Sequence, residues 1–149
     1  MDFKIEKKVF PLNSPFVITG YTFNDANAVW VTINKDGQIG RGEANGIYYE
    51  NETPERMAAQ IESILHKNLT HEEVYNLLPR GGARNALDCA FWDICCKKAG
   101  KTIWELLNIK PKLLVTVATI SIDDPKVMAA KAINYAKYPN LKVKLSNNQ

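Results

Sequence analysis

The stretch that decides the fold is Leu113–Leu145, "LLVTVATISIDDPKVMAAKAINYAKYPNLKVKL". It opens with a nearly continuous apolar run over residues 113–120, the pattern of a parallel strand covered on both faces rather than of a half-solvated antiparallel one. Asp124 followed by Pro125 opens a helix to about residue 137, with Met128, Ala132 and Ala136 facing inward. Residues 141–145 then alternate Leu141, Val143 and Leu145 with Lys142 and Lys144. Strand, helix and strand in one short span predict a βαβ unit. The apolar residues of the second strand are expected to face the helix layer, and both lysines the opposite side. In a barrel that side is the interior, and in an open sheet it is solvent; the spacing allows either.

The two readings differ chemically. Two ammonium groups on one desolvated face repel each other, which favours a neutral amine on one of them, and a neutral lysine is a usable base. The chemistry that fits is removal of a proton from a weakly acidic carbon beside a carboxylate, with a cation to hold the enediolate. No grouping of residues in the chain offers a convincing site for that cation, so no metal ligand is assigned.

Upstream the character is different. Residues 3–10 alternate as a strand, and "PLNSPFVITGYTFND" reads as a long loop containing aromatic residues. "NAVWVTIN", turning at "KDG" and returning as "QIGRGEA", is a strong hairpin signal, which makes the first third an antiparallel meander. Thr53 and Pro54 start a helix expected over about 54–67, with Met57, Ile61, Ile64 and Leu65 buried. Thr70 with Glu73 and Thr102 with Glu105 are capping boxes for two short helices. Between them "GGARNALDCAFWDICCKKAG" is helical, with Leu87, Ala90, Phe91 and Ile94 on one face and Gly100 as the stop. The boundary between the two patterns falls near "NIKPK", dividing the chain into residues 1–110 and 111–149.

The composition is that of an ordinary globular chain of 149 residues, 46% hydrophobic and 23% charged. No apolar run reaches the ~20 residues of a spanning helix, and the N-terminus lacks a signal-peptide core, so a cytoplasmic protein is expected. The net charge of +3 is scattered rather than gathered into a patch, which argues against nucleic acid as a partner. Cys89, Cys95 and Cys96 lack metal-ligand spacing and read as buried reduced thiols.

Together "PFVITGYTF", "GRGEA", "GGARNALDCAFWDICCKKAGK", "VATIS" and "LKVKL" resemble, in order and spacing, the muconate-lactonizing branch of the enolase superfamily. Within it they are most similar to dipeptide epimerases of the L-Ala-D/L-Glu type. The resemblance implies an α+β capping domain followed by the first β-α-β unit of an incomplete (β/α)8 TIM barrel. It implies Lys144 as the acid/base at the substrate α-carbon, Lys142 as its assistant near the substrate carboxylate, and Thr119 facing the substrate. It also implies that the loops around Thr19, Gly20 and Tyr21, and around Ile47, Tyr48 and Tyr49, sort substrates, which makes Thr19, Tyr21 and Tyr48 candidates for binding. Arg84, Asn85 and Asp88 read as structural polar residues. The family's Mg²⁺ ligands and its opposing lysine belong to later strands and map beyond Gln149. A whole barrel takes ~250 residues, so the expectation is an N-terminal portion with little or no turnover by itself. Three alternatives stay open: a non-catalytic binding module, half of a split enzyme completed by a partner, and an enzyme with a different substrate, such as an N-acylamino acid racemase or muconate-type cycloisomerase. Two barrel strands alone leave unpaired parallel edges, so self-association through them, or a homo-oligomer, is expected.

Overall fold

The computed structural model of the chain describes residues 1–146. It contains β1 (Asp2–Ile18), β2 (Tyr21–Lys35), β3 (Gln38–Asn45), a 3-10 turn (Tyr48–Glu50), α1 (Pro54–Glu62), α2 (His71–Leu77), α3 (Gly82–Ala99), α4 (Ile103–Leu106), β4 (Ala118–Ile120), α5 (Pro125–Asn134) and β5 (Leu141–Val143). Two compact units result. One is Met1–Phe10 with Asn27–Pro111, and the other is Pro11–Ala26 with the chain from Lys112 onward.

In the first unit β2 pairs antiparallel with β3, from Ala28↔Asn45 to Lys35↔Gln38. Asp36 and Gly37 both have positive φ, 55° and 79°, as a two-residue type I′ turn demands. Val29, Val31 and Ile33 are buried on one side of β2, while Trp30 on the other side lies beneath the Lys8 ammonium, 5.0 Å from its ring centre. α3 packs on the buried side, against β3. A Cβ on Gly42 would stand 1.9 Å from the Ala86 carbonyl oxygen, and one on Gly40 would stand 2.2 Å from that of Ala90. Only glycine lets helix and strand backbones come this close. Met57, Ile61, Leu69, Val74 and Leu87 complete the core, each worth ~1.5–3 kcal/mol of apolar burial.

The cap signals mark the helix starts. The Thr53 hydroxyl accepts from the Arg56 amide, and both capping boxes form, Thr70 with Glu73 and Thr102 with Glu105. α1 is shorter than its apolar spacing predicts. It stops at Glu62, where the Ser63 hydroxyl donates to the Gln60 carbonyl at 2.8 Å and Ile64 and Leu65 continue in three-residue turns. The thiols are less buried than expected, since Cys95 is exposed and Cys89 and Cys96 are half-buried.

Two larger corrections concern strands. The stretch "PLNSPFVITGYTFND" is not a loop: β1 runs to Ile18 and β2 starts at Tyr21, leaving only Thr19 and Gly20 as the turn. β1 is an edge strand, in the order β1-β2-β3, and an edge tolerates Pro11 and Pro15 because no partner needs their missing N–H groups. Conversely, the apolar run from Leu113 contributes only Ala118–Ile120 as a strand, and Leu113, Leu114 and Val115 are exposed. Among the described residues, β5 offers partners for Ala118–Ile120 alone. Backbone without a partner strand has no ladder to join.

In the second unit β4 and β5 are parallel, with α5 packed on β4. Met128 and Ile120 are buried and Ala132 is half-buried, but α5 ends at Asn134 and leaves Ala136 exposed. Leu141, Val143 and Leu145 are not covered by a helix as expected; they are 40%, 50% and 66% exposed.

Candidate active site at the strand ends

The parallel register sets Ala118 opposite Leu141, Thr119 opposite Lys142 and Ile120 opposite Val143. One step further, the Lys144 amide donates to the Ile120 carbonyl at 3.0 Å, which brings Ser121 alongside Lys144. Side chains alternate along a strand and paired residues share a face. Thr119, Ser121, Lys142 and Lys144 therefore share one face, opposite the apolar face of Ile120 and Val143. Lys142 is exposed and Lys144 half-buried. Ser121 is the buried polar residue of the set, 7% exposed. Sequence reasoning passed over Ser121, although counting two residues on from Thr119 would have found it.

The turn between β1 and β2 reaches these same strand ends. The Ile122 amide donates to the Val17 carbonyl at 3.1 Å, and the Thr19 hydroxyl donates to the Leu145 carbonyl at 3.3 Å. Gly20, at φ 79°, supplies the left-handed residue that the tight turn needs. Tyr21 and Phe23 hold ring contact at 4.6 Å, and Phe23 meets Phe16 at 6.1 Å. Thr19 and Tyr21 thus belong to the same compact unit as Thr119, Lys142 and Lys144. Beside them Lys131 pairs with Asp123 at 2.9 Å, and that ammonium together with the Asp124 amide holds the Asp123 carboxyl below its ordinary value.

Tyr48 lies in the first unit, on the 3-10 turn, with its ring edge-to-face against Tyr49 at 5.1 Å. Arg84, Asn85 and Asp88 make contacts inside that unit. The Asp88 carboxylate takes hydrogen bonds from the Tyr75 hydroxyl, at 2.6 Å, and from the His71 ring. Arg84 lies over the Tyr75 ring and Asn85 donates to the Glu43 carbonyl. His71 also stacks on Phe91. The hydrogen bond to Asp88 pushes the Tyr75 hydroxyl above its ordinary value of 10.0.

Residues 1–108 match the N-terminal domain of the mandelate racemase / muconate lactonizing enzyme family. The chain belongs to that family. It is 36% identical to the L-Ala-D/L-Glu epimerase of Escherichia coli K12 over 97% of its own length and 47% of that enzyme's. A solved enolase family member from Agrobacterium tumefaciens with homology to dipeptide epimerases, holding bound sodium and L-Ala-L-Glu, superposes with a TM-score of 0.89. The identity is 33%, over 97% of this chain and 45% of that one. The dipeptide epimerase of Methylococcus capsulatus, solved with Mg and the dipeptide L-Arg-D-Lys, is 27% identical with a TM-score of 0.83, over 99% and 46%. The chain spans about half the length of the curated relatives it matches. The three-stranded meander with its helices is accordingly the superfamily's N-terminal capping domain, and the parallel β-α unit is part of its barrel.

Mg²⁺ accompanies solved relatives of this chain. Among the described residues, however, no group of three or more His, Cys, Asp or Glu side chains could hold a metal ion. Nor, among them, is any helix long and apolar enough to cross a membrane.

Proposed function

We propose that the chain is the N-terminal part of a dipeptide epimerase and carries one arm of its acid/base machinery. The observation that supports this most is the shared face of Thr119, Ser121, Lys142 and Lys144 at strand ends reached by the Thr19–Gly20 turn. Ligand sites in parallel α/β sheets and barrels form at the C-terminal ends of strands. Lys144, half-buried one residue past β5, is the group that removes the α-proton of a dipeptide's carboxyl-terminal residue and can return one to the same face. Lys142 assists by drawing the substrate carboxylate, and Thr119 contacts it across the strand pair. Thr19, Tyr21 and Tyr48 sort the side chain. Return of a proton to the opposite face needs a second group that the described residues do not supply. By itself the chain is expected to give little or no turnover. The uncovered Leu141, Val143 and Leu145, with the apolar Leu113–Val115 segment, favour self-association or pairing with further barrel strands.

The test is deuterium exchange at the α-carbons of L-Ala-L-Glu in heavy water, followed by NMR. The chain alone should give none. With the C-terminal half of the Escherichia coli relative supplied as a second chain, exchange and conversion to L-Ala-D-Glu should both appear, and the conversion should vanish in Lys144→Met. Conversion that survives Lys144→Met would refute the assignment, and turnover by the chain alone would refute the half-site reading.

A further inference from the structure

The start of α3 lacks a cap of its own. Its N-cap is Gly81, which offers no side chain to the first-turn amides, although a helix leaves its first four N–H groups without helical partners. The missing acceptor comes from 30 residues away, where Glu52 Oε1 takes the Gly82 amide at 2.8 Å. The other oxygen of the same carboxylate takes the Ile47 amide at 2.9 Å. The Glu52 amide in turn donates to the Ile47 carbonyl at 3.2 Å, and the Glu50 amide donates to that carbonyl at 3.0 Å. Ile47 and Glu52 are thus clasped backbone to side chain and backbone to backbone. Between them rises the 3-10 turn, closed by left-handed Asn51, that presents Tyr48 and Tyr49.

The space around this clasp is built for it. A Cβ on Gly81 would stand 2.2 Å from Glu52 Oε1, and one on Gly46 would stand 1.7 Å from the Glu52 carbonyl. A Cβ on Gly82 would meet the Met57 sulfur at 2.4 Å. Gly81 thus leaves room for the carboxylate, Gly46 for the Glu52 backbone and Gly82 for the Met57 side chain, and the partial positive charge of a helix N-terminus favours an anion there.

We propose that Glu52 is the positioning residue of the aromatic turn: its carboxylate ties Ile47, at the base of the turn, to the N-terminus of α3 and thereby sets where the Tyr48 and Tyr49 rings stand. The consequence for substrate sorting rests on the dipeptide reading above; the clasp does not. A shorter acid cannot reach both amides, and an amide side chain can satisfy only one, because its NH₂ end faces a donor.

The experiment is amide hydrogen exchange and aromatic NMR on the whole chain, comparing wild type with Glu52→Gln, Glu52→Ala and, as a control on the same turn, Glu50→Gln. Losing a charge-assisted hydrogen bond should speed exchange at Ile47 and Gly82 by ~10-fold to ~100-fold. Core amides such as Val31 and Ala90 should change much less. The ring-current shifts of the Tyr48–Tyr49 edge-to-face pair should collapse in both Glu52 variants and persist in Glu50→Gln. Glu52→Gln keeps side-chain volume and carries the test if Glu52→Ala does not fold. Unchanged exchange at Ile47 would overturn the proposal. So would a uniform rise across core amides, which would show a merely structural role, or tyrosine shifts that survive Glu52→Gln. Failure of the dipeptide reading would leave all these signals in place, so the two ideas fail separately.

Discussion

Replacing Gly42 by alanine should cost more than its single methyl group suggests. Gly42 faces α3 from β3, opposite Val31 in the ladder. The new Cβ would lie 1.9 Å from the Ala86 carbonyl oxygen and 2.7 Å from the Ala90 amide nitrogen, whereas ordinary contact begins near 3.4 Å. All the clashing atoms are backbone, so no rotamer relieves them. α3 would have to retreat by about 1.5 Å, and a gap of 0.5–1 Å already forfeits about a quarter to a half of a contact's dispersion energy. Ala83, Ala86, Leu87, Ala90 and Ile94 are all buried along that helix, so the loss spreads over the whole interface. Overpacked cores lose ~1–3 kcal/mol when side chains can adjust. Here they cannot, and the ~0.4–1 kcal/mol gained from a less flexible unfolded chain is a small offset. We expect a loss of about 3 kcal/mol or more in urea unfolding. All three tryptophans, Trp30, Trp92 and Trp104, belong to this unit and report it by fluorescence. Gly37→Ala is the comparison: nothing lies within 4 Å of its added Cβ, and only φ 79° is strained, so it should cost ~1–2 kcal/mol. A Gly42→Ala variant that lost less than ~1 kcal/mol would refute the close-approach argument.

Asp88→Ala leaves the His71 ring and the Tyr75 hydroxyl without their shared acceptor and should destabilise the chain by ~1–3 kcal/mol; Tyr75 should then titrate nearer its ordinary 10.0 by ultraviolet absorbance. The Glu73 carboxyl is held below 4.5 by the Thr70 amide and hydroxyl. A group whose folded value is depressed adds stability above its unfolded value and loses it as pH falls through the folded one. The stability difference between wild type and Glu73→Gln should therefore be constant above pH 4.5 and shrink below it, as urea midpoints across pH will show. Sedimentation velocity should find concentration-dependent self-association, weakened by Leu114→Lys at a position 91% exposed; a monomer at all concentrations would count against exposed apolar barrel edges.

The helices were legible because their signals are local. Thr53–Pro54, the Thr70 and Thr102 boxes, Asp124–Pro125 and Gly100 mark ends through contacts within three or four residues, and all of them form. The β1–β2 arms were not legible. Two prolines and a glycine read as loop punctuation, and only the edge position of β1 makes the prolines harmless. The strand from Leu113 erred the other way, since apolar content alone does not supply a ladder partner.

The candidate site divides in the same manner. Alternation alone put Lys142 and Lys144 on one face and away from Val143, because the period of a strand is a property of its backbone. Tertiary structure decided what stands beside them. The register of β4 against β5 sets Thr119 across from Lys142 and brings Ser121 to Lys144. A hydroxyl 126 residues upstream closes on Leu145, and a carboxylate 30 residues from Gly82 caps α3. Propensities, caps and periodicity act over one turn or one pleat, whereas these contacts exist only once non-local pairing has placed the partners, and no local pattern encodes that pairing.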